Sequence, residues 1–215
     1  MDGYSEEYHL ALWITGRKNG LNWAASNDKV SFYQLKAYVQ NVLVRMGIDL
    51  RKTQIAEVSN DLLSEALEIK TVSGKLLATI GVVAPKQLKA FDIENAVYYA
   101  DIQWKACLKE LNKRKISYTE ISKFPEVKRD LALLVDKSVR FAEIEKIAFD
   151  TDKKLLKNVT LFDVYEGKNL EAGKKSYAVN FTLQDKEKTL TDKQIDGIMQ
   201  KLIKNLTEKL DAKLR

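Results

Sequence analysis

Apolar and polar positions recur with two different periods along this chain, and the switches between them mark its elements. Tyr8 to Ile14 (YHLALWI) is a short aromatic and apolar run closed by Gly16, Asn19 and Gly20, which predicts a strand and a turn. From Phe32 the period lengthens. Phe32, Leu35, Val39, Val42, Leu43 and Met46 share one helix face, with Ser31 and Gln34 at capping-box spacing before it and Gly47 as its C-terminal cap. Ile55 to Val58, Leu67 to Val72 and Leu76 to Val83 read as strands, the last two joined at Ser73-Gly74. Pro85 ends that series and opens a basic turn, PKQLKAF. Val97 to Ile102 is a further strand, and Trp104 to Lys115 a polar helix.

The run NKRKISYTEISK, near Asn112 to Ser122, has neither period, so a domain boundary is placed there, with one domain over 1–116 and a second over 117–215. Beyond it the predicted order is strand, helix, strand, strand, helix, strand. Leu131, Leu133 and Val135 face inward on the first strand, while Asp130, Ala132 and Leu134 face out. Phe141, Ile144, Ile147 and Ala148 stripe the first helix. Thr191 and Gln194 cap a second, whose stripe runs Ile195, Ile198, Met199, Leu202, Ile203, Leu206 and Leu210. Ala212 to Arg215 closes the pattern as a last short strand. A βαββαβ order predicts a ferredoxin-like α+β sheet with helices on one face and the other face free.

The middle hairpin, LFDVYEGKNLEAGKKSYAVNFTLQ (Leu161 to Gln184), carries the functional signal. Tyr177, Val179, Phe181 and Leu183 form an apolar row, and Ser176, Ala178, Asn180 and Thr182 a small polar one. On the first strand, strict alternation sends Phe162 and Val164 one way and Leu161, Asp163 and Tyr165 the other. The open face then holds one aromatic ring, one carboxylate and a floor of small side chains, rimmed by Lys168, Lys174 and Lys175. Such a surface suits an unpaired nucleotide base: Tyr165 to stack, Asp163 to accept from a base edge, and Lys128, Arg129, Lys174 and Lys175 to neutralise phosphates. The same pattern also describes a solvated sheet face with an incidental tyrosine, and Lys128 or Arg129 could instead pair with Asp130 or Glu126.

Composition narrows the classes. The 215 residues are rich in charge, with a formal net charge of +6, compatible with a polyanion partner without demanding one. A single cysteine, Cys107, cannot form an internal disulfide and reads as a buried structural thiol. No apolar run is long enough to span a bilayer, which predicts a soluble, cytoplasmic protein. The one histidine, His9, offers no metal cluster or triad, and no P-loop or dinucleotide glycine pattern occurs. No catalytic residue and no metal ligand is expected, and the chain by itself is expected to catalyse nothing.

Three blocks make the second half resemble a known family: KFPEVKRDLALLVD, then the LFDVYEG…GKKSYA hairpin, then KTLTDKQIDGIMQKLIKNL. Together they resemble the ferredoxin-fold anticodon-binding domain at the end of the bacterial phenylalanyl-tRNA synthetase β chain. LALWITG, Trp23, VSFYQLK and IGVVAPKQLKAFDIENAVYYADI resemble the non-catalytic, class II synthetase-like domain of the same chain. Ala84-Pro85 stands where the family commonly has His-Pro, and Lys36-Ala37 where it has Lys-Gly.

The resemblance implies a C-terminal fragment of a longer β chain. It implies phenylalanine tRNA as ligand and a synthetase α chain as partner in an (αβ)₂ heterotetramer, with ATP and magnesium used by the α chain and no cofactor in this fragment. It also implies that Tyr165 stacks on the first anticodon base, bordered by Asp163, Ala132 and Ser176. The competing readings are a small-molecule-sensing βαββαβ module that pairs edge to edge, and a subunit scaffold without RNA contact.

Overall fold

The computed structural model describes residues 3–112, 118, 120–168 and 170–215. The chain divides into two compact units, Met1–Ser117 and Tyr118–Arg215. Half of the aperiodic run read as a connector, at 113–117 and 119, lies outside the described residues.

The first unit is a five-stranded antiparallel sheet of β1 (His9–Thr15), β2 (Thr53–Val58), β3 (Leu63–Thr71), β4 (Leu76–Val83) and β5 (Val97–Gln103), in the order β1-β5-β4-β3-β2. The amphipathic helix α1 (Phe32–Arg45) buries Leu35, Val39 and Leu43 against Ile69, Leu77, Ile80, Ala100 and Ile102. Ser31 Oγ accepts from the Gln34 N–H at 3.4 Å. Gln34 does not close the expected capping box. Its side-chain amide donates to Tyr38 Oη at 2.7 Å instead. Past the C-cap Met46, Gly47 has φ +82° and donates to Val44 O at 2.8 Å, a left-handed turn that a side chain would strain.

PKQLKAF is not a turn. Pro85 sits at the first position of a short helix, α2 (Pro85–Ala90), where its missing N–H would have had no partner and its fixed φ already suits a helix. The helix read from Trp104 is α3 (Trp104–Leu111).

The second unit is a four-stranded antiparallel sheet of β6 (Val127–Asp136), β7 (Leu156–Tyr165), β8 (Lys174–Leu183) and β9 (Lys213–Leu214), in the order β7-β8-β6-β9. Helices α4 (Phe141–Thr151) and α5 (Asp192–Leu210) complete the βαββαβ plan. Ile195, Ile198, Met199, Leu202 and Leu206 of α5 pack with Ile144, Ile147 and Ala148 of α4 onto Leu133, Val135, Tyr177, Val179, Phe181 and Leu183. At α5 the predicted cap forms, with Gln194 Oε1 accepting from the Thr191 N–H at 3.2 Å.

One expectation about β7 fails. Leu161 does not share a face with Asp163 and Tyr165: it pairs with Val179 and packs against the core. A bulge between Leu161 and Asp163 leaves Phe162 without a cross-strand partner and 58% exposed. Past the bulge Asp163 pairs with Ala178, Val164 with Tyr177 and Tyr165 with Ser176. The extra residue inverts the alternation. Had pairing run on unbroken, Asp163 and Tyr165 would face the helices.

Candidate nucleic-acid interface

The face of the second sheet turned away from α4 and α5 is built in cross-strand rows. One row runs Asp163, Ala178, Ala132 across β7, β8 and β6, and the Arg215 N–H extends it by donating to Ala132 O at 3.0 Å. The next row runs Tyr165, Ser176, Leu134, Lys213. Side chains directly opposite on neighbouring strands lie about 4.5–5.5 Å apart. Tyr165, Asp163, Ala132 and Ser176 therefore form one compact group.

The ring of Tyr165 is set by its surroundings. Gly167 lies so close that a Cβ there would run into Cζ and Oη of the phenol. The guanidinium carbon of Arg215 lies over the ring, 5.2 Å from its centroid, within cation–π range. Tyr165 is 37% exposed, while Ser176 beside it is only 6% exposed. The floor of this half is thus small and recessed.

The other half of the face is a polar ladder. Asn180 Nδ2 donates to Asp130 Oδ1 at 2.6 Å, Thr182 Oγ1 to Asn180 Oδ1 at 3.2 Å, and Asn158 Nδ2 to Thr160 Oγ1 at 3.0 Å.

The basic residues named from sequence do not stay together. Lys128 pairs with Thr182 and belongs to the open face, whereas Arg129 pairs with Phe181 on the helix side. Lys175 also belongs to the helix side. It is 9% exposed, and its Nζ lies 4.7 Å from the centroid of the core ring Tyr177. Alternation along β8 is the physical reason: Lys175 has the parity of the apolar row. Lys174 has the right parity but is engaged, its Nζ 3.9 Å from Asp211 Oδ2 and its partner across the sheet being Asp136. The Ser138 N–H and hydroxyl donate to Asp136 at 2.9 and 2.7 Å, holding that carboxyl below the usual range.

Two cations on this face escaped the sequence reading, Lys213 and Arg215. Their signal was present. Once Ala212 to Arg215 is taken as a strand, buried Ala212 fixes Lys213 and Arg215 on the opposite side.

Outside this face, His9 and Cys107 are both held by the surrounding fold. His9 Nδ1 donates to Asp101 Oδ1 at 2.8 Å, and that carboxylate holds the imidazole above its ordinary 6.5. The partner lies 92 positions away, beyond any local motif. Burial pushes the Cys107 thiol up to about 11, and its Sγ contacts Leu77 O at 3.8 Å. Among the described residues no group of three or more His, Cys, Asp or Glu is placed to hold a metal, and no helix is long and apolar enough to cross a membrane.

Comparisons with known proteins agree with the ferredoxin-like fold of the second unit. Residues 122–215 match the family model described as ferredoxin-fold anticodon binding domain, and residues 1–104 the one described as phenylalanyl tRNA synthetase beta chain CLM domain. Similar curated proteins include the phenylalanine–tRNA ligase beta subunits of Bacteroides thetaiotaomicron, 62% identical, and Bacteroides fragilis, 61% identical. That of Porphyromonas gingivalis is 50% identical. Each match covers 99% of this chain, which spans 26% of the length of these relatives.

Proposed function

The chain belongs to the family of phenylalanine–tRNA ligase β subunits, and from that premise we propose that its second unit holds the anticodon stem-loop of phenylalanine tRNA on the open sheet face. In this reading ATP- and magnesium-dependent aminoacylation belongs to an α chain, the assembly is an (αβ)₂ heterotetramer in the cytoplasm, and the first unit supports that assembly.

One observation carries the reading. Two adjacent cross-strand rows bring a half-exposed tyrosine, a carboxylate and small side chains together on a sheet face not covered by the unit's own helices. Tyr165 offers a π face to an unstacked base, a contact worth about 1–3 kcal/mol by alanine substitution. The Asp163 carboxylate accepts hydrogen bonds and donates none, so it favours a base edge that presents N–H donors, as guanine does, over one that presents acceptors. Ser176 and Ala132 keep the floor low enough for the base to reach it. Lys128 and Lys213 lie on this face and can neutralise backbone phosphates, which makes affinity fall with salt.

A small-molecule sensor built on the same βαββαβ plan would use its sheet edge for pairing and would retain no RNA. Titrating the chain with the phenylalanine anticodon stem-loop at two salt concentrations tests the assignment. Wild type is expected to bind with a salt-dependent Kd, and Tyr165→Ala to bind about 5- to 150-fold more weakly, the range given by that stacking energy. Equal affinity of the variant, with its fold intact, would remove the stacking role.

A further inference from the structure

Arg215 lies over the one ring on which the proposed function depends, and nothing in the sequence reading gave it a role. Its backbone is fixed beside Ala132 by its N–H, on the far side of β6 and β8 from Tyr165. The arginine arm and the tyrosine therefore bridge two strands between them. Alanine at both middle positions of the Arg215 row, 132 and 178, leaves the arm room to cross. Ser176, in the row of Tyr165, is 6% exposed on a face the helices do not cover, as expected beneath such a bridge. Gly167 lies against the Cζ–Oη end of the ring, where a Cβ would displace it.

Resting on the anticodon reading above, we propose that Arg215 is the second wall of the base site, closing over Tyr165 in the free protein and capping the stacked base in the complex. The dimensions set what must move. A flat base between two flat groups needs about 7–8 Å, twice the contact distance of roughly 3.5–4.0 Å. The present separation of 5.2 Å is too small for that, so the guanidinium draws back by about 2–3 Å as the base enters. The arm is exposed and attached at a sheet edge, so this is a rotamer change rather than a backbone change. A guanidinium suits the task because it is planar, permanently charged and weakly hydrated. An ammonium has the charge without the plane.

The test is a titration of the full chain with the phenylalanine anticodon stem-loop at several salt concentrations, comparing wild type, Tyr165→Ala, Arg215→Ala and Arg215→Lys. Capping predicts that Arg215→Ala weakens binding about 3- to 30-fold, and that Arg215→Lys stays close to the alanine variant. It also predicts that the slope of log K against log salt changes by much less than the roughly one unit a lost phosphate contact would give.

Recovery of affinity and slope by Arg215→Lys would make Arg215 a phosphate contact and overturn the cap. Wild-type or tighter binding by Arg215→Ala, beside a weakened Tyr165→Ala, would overturn the cap and leave the anticodon reading intact. No salt-dependent binding by wild type would overturn both. The Arg215 N–H to Ala132 O bond is a backbone bond that every variant keeps, and a thermal melt by circular dichroism verifies that the fold survives.

Discussion

At the scale of single residues, the site rests on which side chains are absent as much as on which are present. Gly167 has no φ that demands glycine, so its value here is the missing methyl, which lets the phenol of Tyr165 lie against its backbone. Gly167→Ala would place a Cβ inside the ring's present position and push the far end of a movable side chain, not the backbone. The expected outcome is therefore a loss of stem-loop affinity approaching that of Tyr165→Ala, with the melting temperature nearly unchanged, measured by paired binding and thermal titrations. A melting temperature that fell in step with affinity would mean that Gly167 serves the fold instead. Arg129 and Lys175 teach the opposite lesson. Both read as phosphate contacts from charge alone, yet side-chain parity sends them to the helix side, where Lys175 covers the Tyr177 ring.

At the scale of elements, the strands and helices were legible wherever one period held for a whole segment. The α5 stripe and the buried row of β8 are of this kind, since a continuous apolar face has one way to be buried. What the pattern could not carry was local register. Strict alternation placed Leu161 with Asp163 and Tyr165, because a bulge adds one residue without altering composition. The Asp163 and Tyr165 side chains reach the open face only because Phe162 drops out of the ladder.

Cross-strand packing in the first unit is equally invisible in sequence. Gly81 in β4 faces β3 so closely that a Cβ would lie 2.9 Å from Glu65 O, Ala66 Cβ and Leu63 Cδ1. One of those atoms is backbone and cannot swing aside. Gly81→Ala is expected to destabilise the first unit by about 1–3 kcal/mol through overpacking, read as an earlier thermal transition, while stem-loop affinity holds. An unchanged melt would show that β3 and β4 can separate at that point without cost.

At the scale of the whole molecule, two separate sets of buried side chains account for the chain's architecture. One centres on Leu35, Leu43, Ile80 and Ile102, the other on Leu133, Phe181, Leu202 and Leu206. Among the described residues none belongs to both. A unit whose two helices pack on its own sheet around its own core needs no other unit to bury that apolar surface. The fragment Tyr118–Arg215 is therefore expected to fold alone, cooperatively, and to bind the stem-loop with the salt slope of the full chain, because each group assigned to the base site lies within it. Urea unfolding followed by circular dichroism, together with the same RNA titration, measures both properties. A fragment that folds but binds with a shallower salt slope would show that cations of the first unit also reach the RNA. The binding surface would then have to be redrawn across both units. A fragment that fails to fold would show that the second core, complete as its side-chain list is, depends on the first.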